Sequence, residues 1–310
     1  KMSTKKNPYG TGAIQFWEPP IQPDILGNAN SFANIEWTSD EIDRCLYEPL
    51  KKIYPYSVQK VSIGSDTSGT CAMYAWEFSP KQFEKTVYLQ AGVHAIETEG
   101  YFGLARLMHL ICSGSDDRMR ALRDHVRFYI VPMVSVWGIT HKGSYRQIMS
   151  SERYEKCPHN VLNINPNRDF ENAKLQETVN VKRYFAARAD EIDFMFDLHT
   201  TAMAEWGGYL LPYPDHLEEP YRTRLIQVNS ILYRKNCRSE TPIAYMGDER
   251  HYPTSPITDS FASGFHMLYH IPGSTLEHSD YVFDSVLGTS VCMTRAVELY
   301  GNHLLAFLEY

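Results

Sequence analysis

The sequence predicts one α/β domain in which a mixed, twisted central sheet is covered by helices on both faces. The chain has 310 residues, of which 43% are hydrophobic, and such a chain can bury a sizeable core within a single domain. From Thr86 onward, short apolar segments alternate with amphipathic segments of helical period, an order that places helices on both faces of a sheet. Residues 1–35 are rich in Pro, Gly and Asn, so we expect an extended arm there and the domain itself over 36–310.

The first elements of the domain are predicted from a helix cap and from strand alternation. A Thr-x-x-Glu capping box begins at Thr38 and predicts a helix from that residue. Two segments of alternating polarity, Val58–Ile63 and Ala72–Phe78, flank a turn-rich bridge. This pattern predicts a β-hairpin.

The remaining elements are predicted from the period of the apolar residues. Short apolar runs predict strands, and apolar residues three and four positions apart predict helices. Asn172–Asp190 contains no Gly or Pro and is therefore predicted to be helical. In chain order, the elements are strand Thr86–Ala91, helix Gly100–Cys112, strand Arg127–Val134, helix Asn172–Asp190, strand Ile192–Leu198, strand Gly208–Leu211, a helix near Tyr221–Asn236, strand Gly273–Leu276 and a closing helix with Met293, Val297, Tyr300, Leu304 and Phe307 in phase.

Charge and hydropathy argue against two classes of partner. The net charge of −7 and the pI of about 6.0 provide no basic field for a phosphate backbone, so we expect no nucleic acid partner. The sequence has no stretch of about 18 uninterrupted apolar residues, so we expect no membrane span. Nothing in the sequence indicates the oligomeric state.

The cysteines and the first residues favour a cytoplasmic protein. The sequence opens with Lys1 before Met2 and continues with polar residues, so no secretory leader is visible. The six cysteines lie far apart without a C-x-x-C pair, which favours free thiols in a reducing cytosol over disulfides or a cysteine-bound zinc. They are Cys45, Cys71, Cys112, Cys157, Cys237 and Cys292.

Three residues at predicted strand ends have the spacing of a metal site. The strand at Thr86–Ala91 is followed by a glycine and then by His94 and Glu97, whose separation of three lets both side chains reach one cation. The strand predicted over Ile192–Leu198 is followed directly by His199. If the two strands end side by side in parallel, the three residues form a His₂Glu set with one open position, which is a catalytic zinc pattern.

Two further segments carry candidate functional residues. Asn167 and Arg168 lie together on a Pro-bounded loop, where a planar guanidinium and an amide can clamp a carboxylate with paired hydrogen bonds. Glu277 places an acid at the end of the strand that begins at Gly273. Taken singly, each is more often a surface ion pair or a solvated charge, so their weight comes from the pattern they complete.

These motifs together resemble the zinc carboxypeptidase family. The family pattern is H-x-x-E, then N-R, then a strand-terminal His, then a Glu late in the chain, and the same order occurs here. The segment Ser62–Gly69 also looks like the family's opening I-G-S-x-x-G hairpin. The resemblance extends from about Thr38 to the last helix.

The resemblance implies one zinc ion per chain and a role for each motif residue. It implies that His94, Glu97 and His199 hold the zinc. It also implies that Asn167 and Arg168 bind the terminal carboxylate of the substrate.

Further roles implied by the resemblance concern catalysis. Glu277 would be the general base, and Arg146 is the nearest candidate for the arginine that polarises the scissile carbonyl, with Arg153 close behind. The family's pocket floor would lie around Thr258–Phe265, where Asp259 is the only charge. The family also uses a loop tyrosine, for which no clean match exists among Tyr245, Tyr252 and Tyr269.

The resemblance therefore implies a metallocarboxypeptidase that removes the C-terminal residue of a peptide. In that reaction a metal-activated water attacks the carbonyl, and Glu277 takes the proton from the water and passes it to the leaving amine. Zinc is the expected cofactor. The expected partner is a substrate with a free carboxylate.

Two alternatives remain open. The first is a zinc-dependent deacylase of small N-acyl amino acids, similar to aspartoacylase and succinylglutamate desuccinylase, because the run Asp197–Thr201 looks like theirs. The context Ser274–Glu277 and the lead-in over 36–85 look more like carboxypeptidases. The second alternative is a non-catalytic binding module on the same fold, and the intact triad argues against it.

Overall fold

One mixed sheet of seven strands runs through the described part of the chain. The computed structural model describes residues 16–22, 37–141, 165–200, 209–212, 260–278 and 289–308. Of these, residues 209–212, 277–278 and 289–292 are described by their backbone alone. The strands are β1 Ser57–Ser65, β2 Ala72–Ser79, β3 Lys85–Ala91, β4 Val126–Val131, β5 Phe194–Thr200, β6 Tyr209–Pro212 and β7 Gly273–His278. Their order is β1-β2-β4-β3-β5-β7-β6. The central strands β4, β3, β5 and β7 are parallel, whereas β1, β2 and β6 are antiparallel to their neighbours. The predicted mixed sheet is confirmed.

Helices cover both faces of this sheet. Tyr88 on β3 packs edge-on against Phe185 on one face, and the next residue, Leu89, lines a small apolar gap with Leu104 and Tyr300 on the other. This change of face along one strand confirms a sheet between two helical layers. The helices are α1 Ser39–Ile42, which continues as a π-helical turn over Asp43–Tyr47, α2 Leu50–Ile53, α3 Thr98–Ser113, α4 Asp117–His125, α5 Val136–Thr140, α6 Gln176–Ala186, α7 Phe261–Tyr269 and α8 Thr289–Leu308, with short 3₁₀ turns at Pro166–Arg168 and Ala189–Glu191.

The first predicted elements are confirmed. Thr38 caps α1 with its side chain, which accepts from the backbone N–H of Glu41, and the Glu41 carboxylate accepts from the backbone N–H of Thr38 at 2.7 Å. β1 and β2 form the predicted hairpin, with an irregularity at Gly64. Gly64 has a φ of +131°, and a Cβ there would lie 2.7 Å from the Asn180 side chain of α6. Only glycine allows both this backbone conformation and this close approach.

Two predicted elements end three or more residues away from their observed boundaries, and other boundaries differ by one or two residues. The helix predicted over Asn172–Asp190 is confined to α6, because the Asp169 carboxylate accepts the backbone N–H groups of Lys174 and Leu175 and holds them outside the helix. The strand predicted to reach Val134 ends with β4, just before a proline. The short helices α2, α4, α5 and α7 were not predicted. The helix predicted near 221–236 lies outside the described residues.

The described part of the N-terminal segment contacts the last helix. Trp17 is buried, and its backbone N–H and C=O both bond to the Asn302 side chain of α8, at 2.8 and 2.9 Å. Cys45, Cys71 and Cys112 are free thiols, as predicted. None of the described helices combines the length and apolar character needed to cross a bilayer.

Candidate metal centre

The carboxyl ends of two central strands bring the predicted metal ligands together. β3 and β5 are adjacent and parallel, with Ala91 opposite Leu198. Beyond β3 the chain turns at Gly92, which has a φ of +65°, and the backbone N–H of Glu97 donates to the carbonyl of His94 to close the turn. His199 lies on β5 itself. The predicted meeting of these residues at two parallel strand ends is confirmed.

The two imidazoles point at opposite oxygens of one carboxylate. Nδ1 of His94 lies 2.8 Å from Oε1 of Glu97, and Nδ1 of His199 lies 2.7 Å from Oε2. The ring centroids are 5.0 Å apart, and the three donor atoms lie within 4.8 Å of one another. His94, Glu97 and His199 are buried, with exposed fractions of 5%, 3% and 1%, respectively. A compact set of two imidazole nitrogens and one carboxylate fits a zinc ion.

Electrostatics hold this cluster together when no metal is present. Burial opposes ionisation of Glu97, but the positive charges of His94 and His199 and their hydrogen bonds outweigh it and lower the pKa of this carboxyl below its usual 4.5. Burial likewise opposes charging of His199, but the carboxylates of Asp197 and Glu97 outweigh it and raise the pKa of His199 well above its usual 6.5. In the metal-free cluster, protons on the imidazoles therefore lie where a metal cation would bind.

Each imidazole also has an oxygen partner behind it. Nε2 of His94 lies 2.9 Å from Oδ1 of Asn165. That atom also accepts the backbone N–H of Asn167 at 2.9 Å, so it is the amide oxygen and His94 must donate to it. His199 Nε2 lies 2.9 Å from Oδ2 of Asp197. Hydrogen on Nε2 leaves the Nδ1 lone pair of His94 for a metal.

Sequence reasoning missed both of these oxygen partners. Asp197 precedes His199 by two positions in a strand, so their side chains share a face, and this alternation could have identified it. Asn165 lies 71 residues from His94, and no local signal links them. Glu97 has a further contact of this kind, because its Oε2 accepts the backbone N–H of Thr200 at 3.2 Å.

The predicted carboxylate clamp lies on the turn that carries Asn165. Asn167 is buried, and its Oδ1 accepts the backbone N–H of Phe261 at 3.3 Å, which leaves its NH₂ as the donor half of that amide. Arg168 is exposed, and its guanidinium donates to the Asn167 carbonyl at 2.6 Å. Asn167 and Arg168 therefore follow closely after Asn165, the residue that contacts the metal ligand His94.

The backbone of Glu277 lies one strand away from His199. The two residues are direct register partners in the parallel β5–β7 pair, and Tyr209 is the partner of Glu277 on the other side. Adjacent strands are about 4.8 Å apart, so the predicted general base belongs to a strand that borders the metal ligands. Its placement on the strand agrees with the sequence prediction.

The remaining candidates fall outside this cluster. Tyr269 packs against Phe185 and Phe265, at the opposite end of α7 from Phe261, which contacts Asn167. Tyr269 is therefore not brought to the ligands. The other predicted site residues lie outside the described part of the chain: Arg146, Arg153, Tyr245, Tyr252 and Asp259.

Comparison with known families agrees with this geometry. A family profile described as zinc carboxypeptidase matches residues 46–275, which include all three candidate ligands and end two residues before Glu277. The chain belongs to the zinc carboxypeptidase family. Membership makes it a hydrolase of metallocarboxypeptidase type at the family level. No curated protein matches the sequence.

Solved carboxypeptidases share the fold of this family member at low sequence identity. A metallo-carboxypeptidase from Burkholderia cenocepacia is 15% identical with a TM-score of 0.65, over 89% of this chain and 70% of the other. One from Pseudomonas aeruginosa, in complex with (2-guanidinoethylmercapto)succinic acid, is 14% identical with a TM-score of 0.66, over 90% and 71%. A putative metallopeptidase from Shewanella denitrificans OS217 is 14% identical with a TM-score of 0.61, over 99% and 98%.

Proposed function

We propose that this protein is a zinc-dependent metallocarboxypeptidase that removes the C-terminal residue from a peptide and holds one zinc ion per chain. The observation that carries the proposal is the convergence of His94 and His199 on the two oxygens of buried Glu97, at 2.8 and 2.7 Å. Zinc in such a site supplies a Lewis acid and lowers the pKa of a bound water. The roles that follow belong to the chain's own residues.

Glu277 is the proposed general base. Its backbone is the register partner of His199, so its strand borders the metal ligands. Its carboxylate takes a proton from the attacking water, and the same proton then passes to the nitrogen of the leaving amine as the peptide C–N bond breaks. Arg146, by its resemblance to the family's arginine, is proposed to stabilise the negative charge that develops on the carbonyl oxygen.

Arg168 and Asn167 are the proposed binding site for the substrate's terminal carboxylate. The guanidinium of Arg168 is exposed to an incoming ligand, and the amide of Asn167 keeps its NH₂ as a donor. The Pseudomonas aeruginosa carboxypeptidase holds a succinic acid derivative, which also supports carboxylate recognition. Fixing one end of the substrate determines which bond reaches the metal centre.

One observation favours a second candidate, the deacylase of N-acyl amino acids. The run that begins at Asp197 looks like that of the deacylases, and in the structure Asp197 and His199 form a buried contact in β5. A deacylase would use the same metal ligands and the same carboxylate clamp. The two candidates differ in whether the leaving group is an amino acid released from a peptide or from a short acyl chain.

A substrate panel separates the two functions. The zinc-loaded protein is incubated with peptides of varied C-terminal residue, with the same peptides amidated, and with a set of N-acyl amino acids, and products are identified by mass spectrometry. The carboxypeptidase proposal expects loss of a single C-terminal residue from free peptides only. Turnover confined to acyl amino acids would support the deacylase, and no turnover of either set would support a binding module.

Elemental analysis tests the metal ligands independently of turnover. His94→Ala and His199→Ala should each lose zinc, because each removes one of three protein donors. Full zinc occupancy in both variants would remove these residues from the metal site. Chelator-treated wild-type protein is the matched inactive control.

A further inference from the structure

A buried carboxylate lies directly behind one of the metal ligands. Asp197 is 0% exposed, and within the described residues neither of its oxygens has an aligned hydrogen bond. Its close contact is with Nε2 of His199, at 2.9 Å. An isolated buried carboxylate is strongly unfavourable, so a role is expected for an acid at this position.

We propose that Asp197 is a positioning residue of the metal centre, which holds the imidazole of His199 with hydrogen on Nε2 and its Nδ1 lone pair toward the metal. The proposal rests on the zinc binding of the proposed function. Glu97 approaches Nδ1 of His199 and Asp197 approaches Nε2, so the ring lies between two carboxylates. A partner on the outer nitrogen fixes both the tautomer and the ring orientation of a metal-bound histidine.

Strand alternation places Asp197 and His199 on the same face of β5. Residues two apart in a strand project to the same face, so Asp197 and His199 share a face whatever the side-chain rotation. This is the face on which Tyr88 meets Phe185 and Phe265, and no solvent reaches Asp197 there. Within the described residues, its nearest ionic partner is therefore the metal ligand itself.

The neighbouring strand carries a second buried polar group on the same face of the sheet as Asp197. Gln90 of β3 is the register partner of Asp197 and is fully buried. The hydroxyl of Tyr88 donates to its Oε1 at 3.0 Å, while its amide nitrogen has no partner in the described structure. The structure places this buried donor on the strand next to Asp197 and on the same face of the sheet, without a hydrogen bond between the two side chains.

The two metal-binding imidazoles are then held by unlike oxygens. His94 has the neutral amide oxygen of Asn165, and His199 has the carboxylate of Asp197. A charged acceptor binds an N–H group more strongly than a neutral one. Loss of Asp197 should therefore weaken the orientation of His199 and with it the binding of the metal.

The test compares zinc affinity with stability of the metal-free protein. Asp197→Leu replaces the two acceptor oxygens with methyl groups on the same branched skeleton, Asp197→Ala removes them without new bulk, and Asp197→Asn retains an acceptor oxygen. Ser274→Ala is the matched control, because Ser274 is fully buried on β7 and its hydroxyl has no partner in the described structure. Zinc affinity is measured by chelator competition, the ligand field by the visible spectrum of the Co²⁺ form, and metal-free stability by thermal unfolding.

The expected result separates positioning from structure. Asp197→Leu and Asp197→Ala should weaken zinc binding by about 10- to 100-fold and change the Co²⁺ spectrum. Asp197→Asn should lose less affinity, and Ser274→Ala should lose none. Metal-free Asp197→Leu should unfold below the wild-type temperature, because the imidazole of His199 loses the carboxylate beside its Nε2. The Co²⁺ spectrum is therefore the readout that a purely structural role of Asp197 would leave unchanged.

Two outcomes overturn different statements. Wild-type protein that binds no zinc overturns the proposed function, and with it the basis of this inference. The role of Asp197 alone is overturned if the wild-type protein binds zinc and the Asp197→Leu or Asp197→Ala variant binds it equally tightly with the wild-type Co²⁺ spectrum. A loss of affinity matched by the same loss in Ser274→Ala would equally remove the specific role.

Discussion

At the scale of single residues, the metal centre combines ligands that lie at strand ends with an oxygen partner that a distant turn brings to His94. His94 and His199 each follow or end an apolar strand, and Gly92 marks the turn that directs His94 to the strand end. The contact from Asn165 to His94 joins residues that are 71 positions apart. It depends on where a loop returns to the sheet, which no local period encodes.

The Glu277→Gln variant tests the proposed base. The amide has nearly the size of the carboxylate but cannot take a proton, so we expect retained zinc and a loss of kcat of at least about 10²- to 10⁴-fold. Zinc content is measured by elemental analysis and turnover on a free peptide. Glu171→Gln, at an exposed acid on the loop after Arg168, controls for the lost charge. Near-normal turnover by Glu277→Gln would mean that another group accepts the proton.

The Arg168→Ala variant tests the proposed carboxylate clamp. Removing the guanidinium leaves the substrate carboxylate unpaired in the site, a loss of about 2–5 kcal/mol in binding. We therefore expect kcat/KM for a free peptide to fall by orders of magnitude, whereas the already slow cleavage of the amidated peptide should barely change. Lys174→Ala removes a nearby exposed cation as the control. Equal cleavage of free and amidated peptides by the wild type would contradict the clamp.

At the scale of elements, the period of apolar residues predicted the long helices and the strands but missed short helices that depend on contacts. α7 has nine residues and begins at the cap Ser260, within a segment that the family resemblance assigned to a pocket floor. Its Phe265 ring stacks on Phe185 of α6 with centroids 3.6 Å apart. That packing, together with the bond from Phe261 to Asn167, positions α7.

The Gly264→Ala variant tests whether α7 anchors the clamp. A Cβ at Gly264 would lie 2.1 Å from the Phe170 ring, and Phe170 follows the Asn-Arg pair closely in the chain. We expect a loss of about 1–3 kcal/mol in the free energy of unfolding from overpacking, together with a raised KM for free peptides. Denaturant unfolding and peptide kinetics measure the two effects.

The neighbouring helix position provides the control for that variant. Ser263→Ala changes a buried residue whose hydroxyl has no partner in the described structure and adds no volume. It should leave stability unchanged or raise it. A Gly264→Ala protein as stable as wild type would show that Phe170 can move aside without cost.

At the scale of the whole molecule, the topology explains why residues distant in sequence meet. Four parallel strands fill the centre of the sheet, and their carboxyl ends share one edge, where α/β folds place ligands. The alternation of strands and helices predicted this edge. The burial of Trp17 against α8 could not be predicted, because it joins residues 285 positions apart and requires the close approach at Gly301.

Metal binding should stabilise the whole fold in a pH-dependent manner. Zinc binds the folded ligand set, so it raises the free energy of unfolding in proportion to its affinity. The raised pKa of His199 stabilises the metal-free fold fully below 6.5, and this contribution is lost as the pH rises through the folded-state pKa. Zinc requires the neutral imidazole, so its affinity increases over the same interval. Both effects widen the gap in Tm between zinc-loaded and metal-free protein as the pH rises above 6.5.

Thermal unfolding at a series of pH values measures this gap directly. Fixed free zinc is compared with excess chelator in wild-type protein, and calorimetry in two buffers of different ionisation enthalpy counts the protons released on zinc binding. Glu97 stays ionised throughout, because its pKa lies below the usual 4.5, so it does not contribute to the release. His94→Ala should show no zinc-dependent change in Tm at any pH, while its metal-free Tm still reports the pairing of Glu97 with His199. A Tm difference that is constant with pH, or zinc binding without proton release, would mean that His199 is already neutral in the metal-free protein. Asp197 and Glu97 would then not hold a proton on His199 in place of the metal.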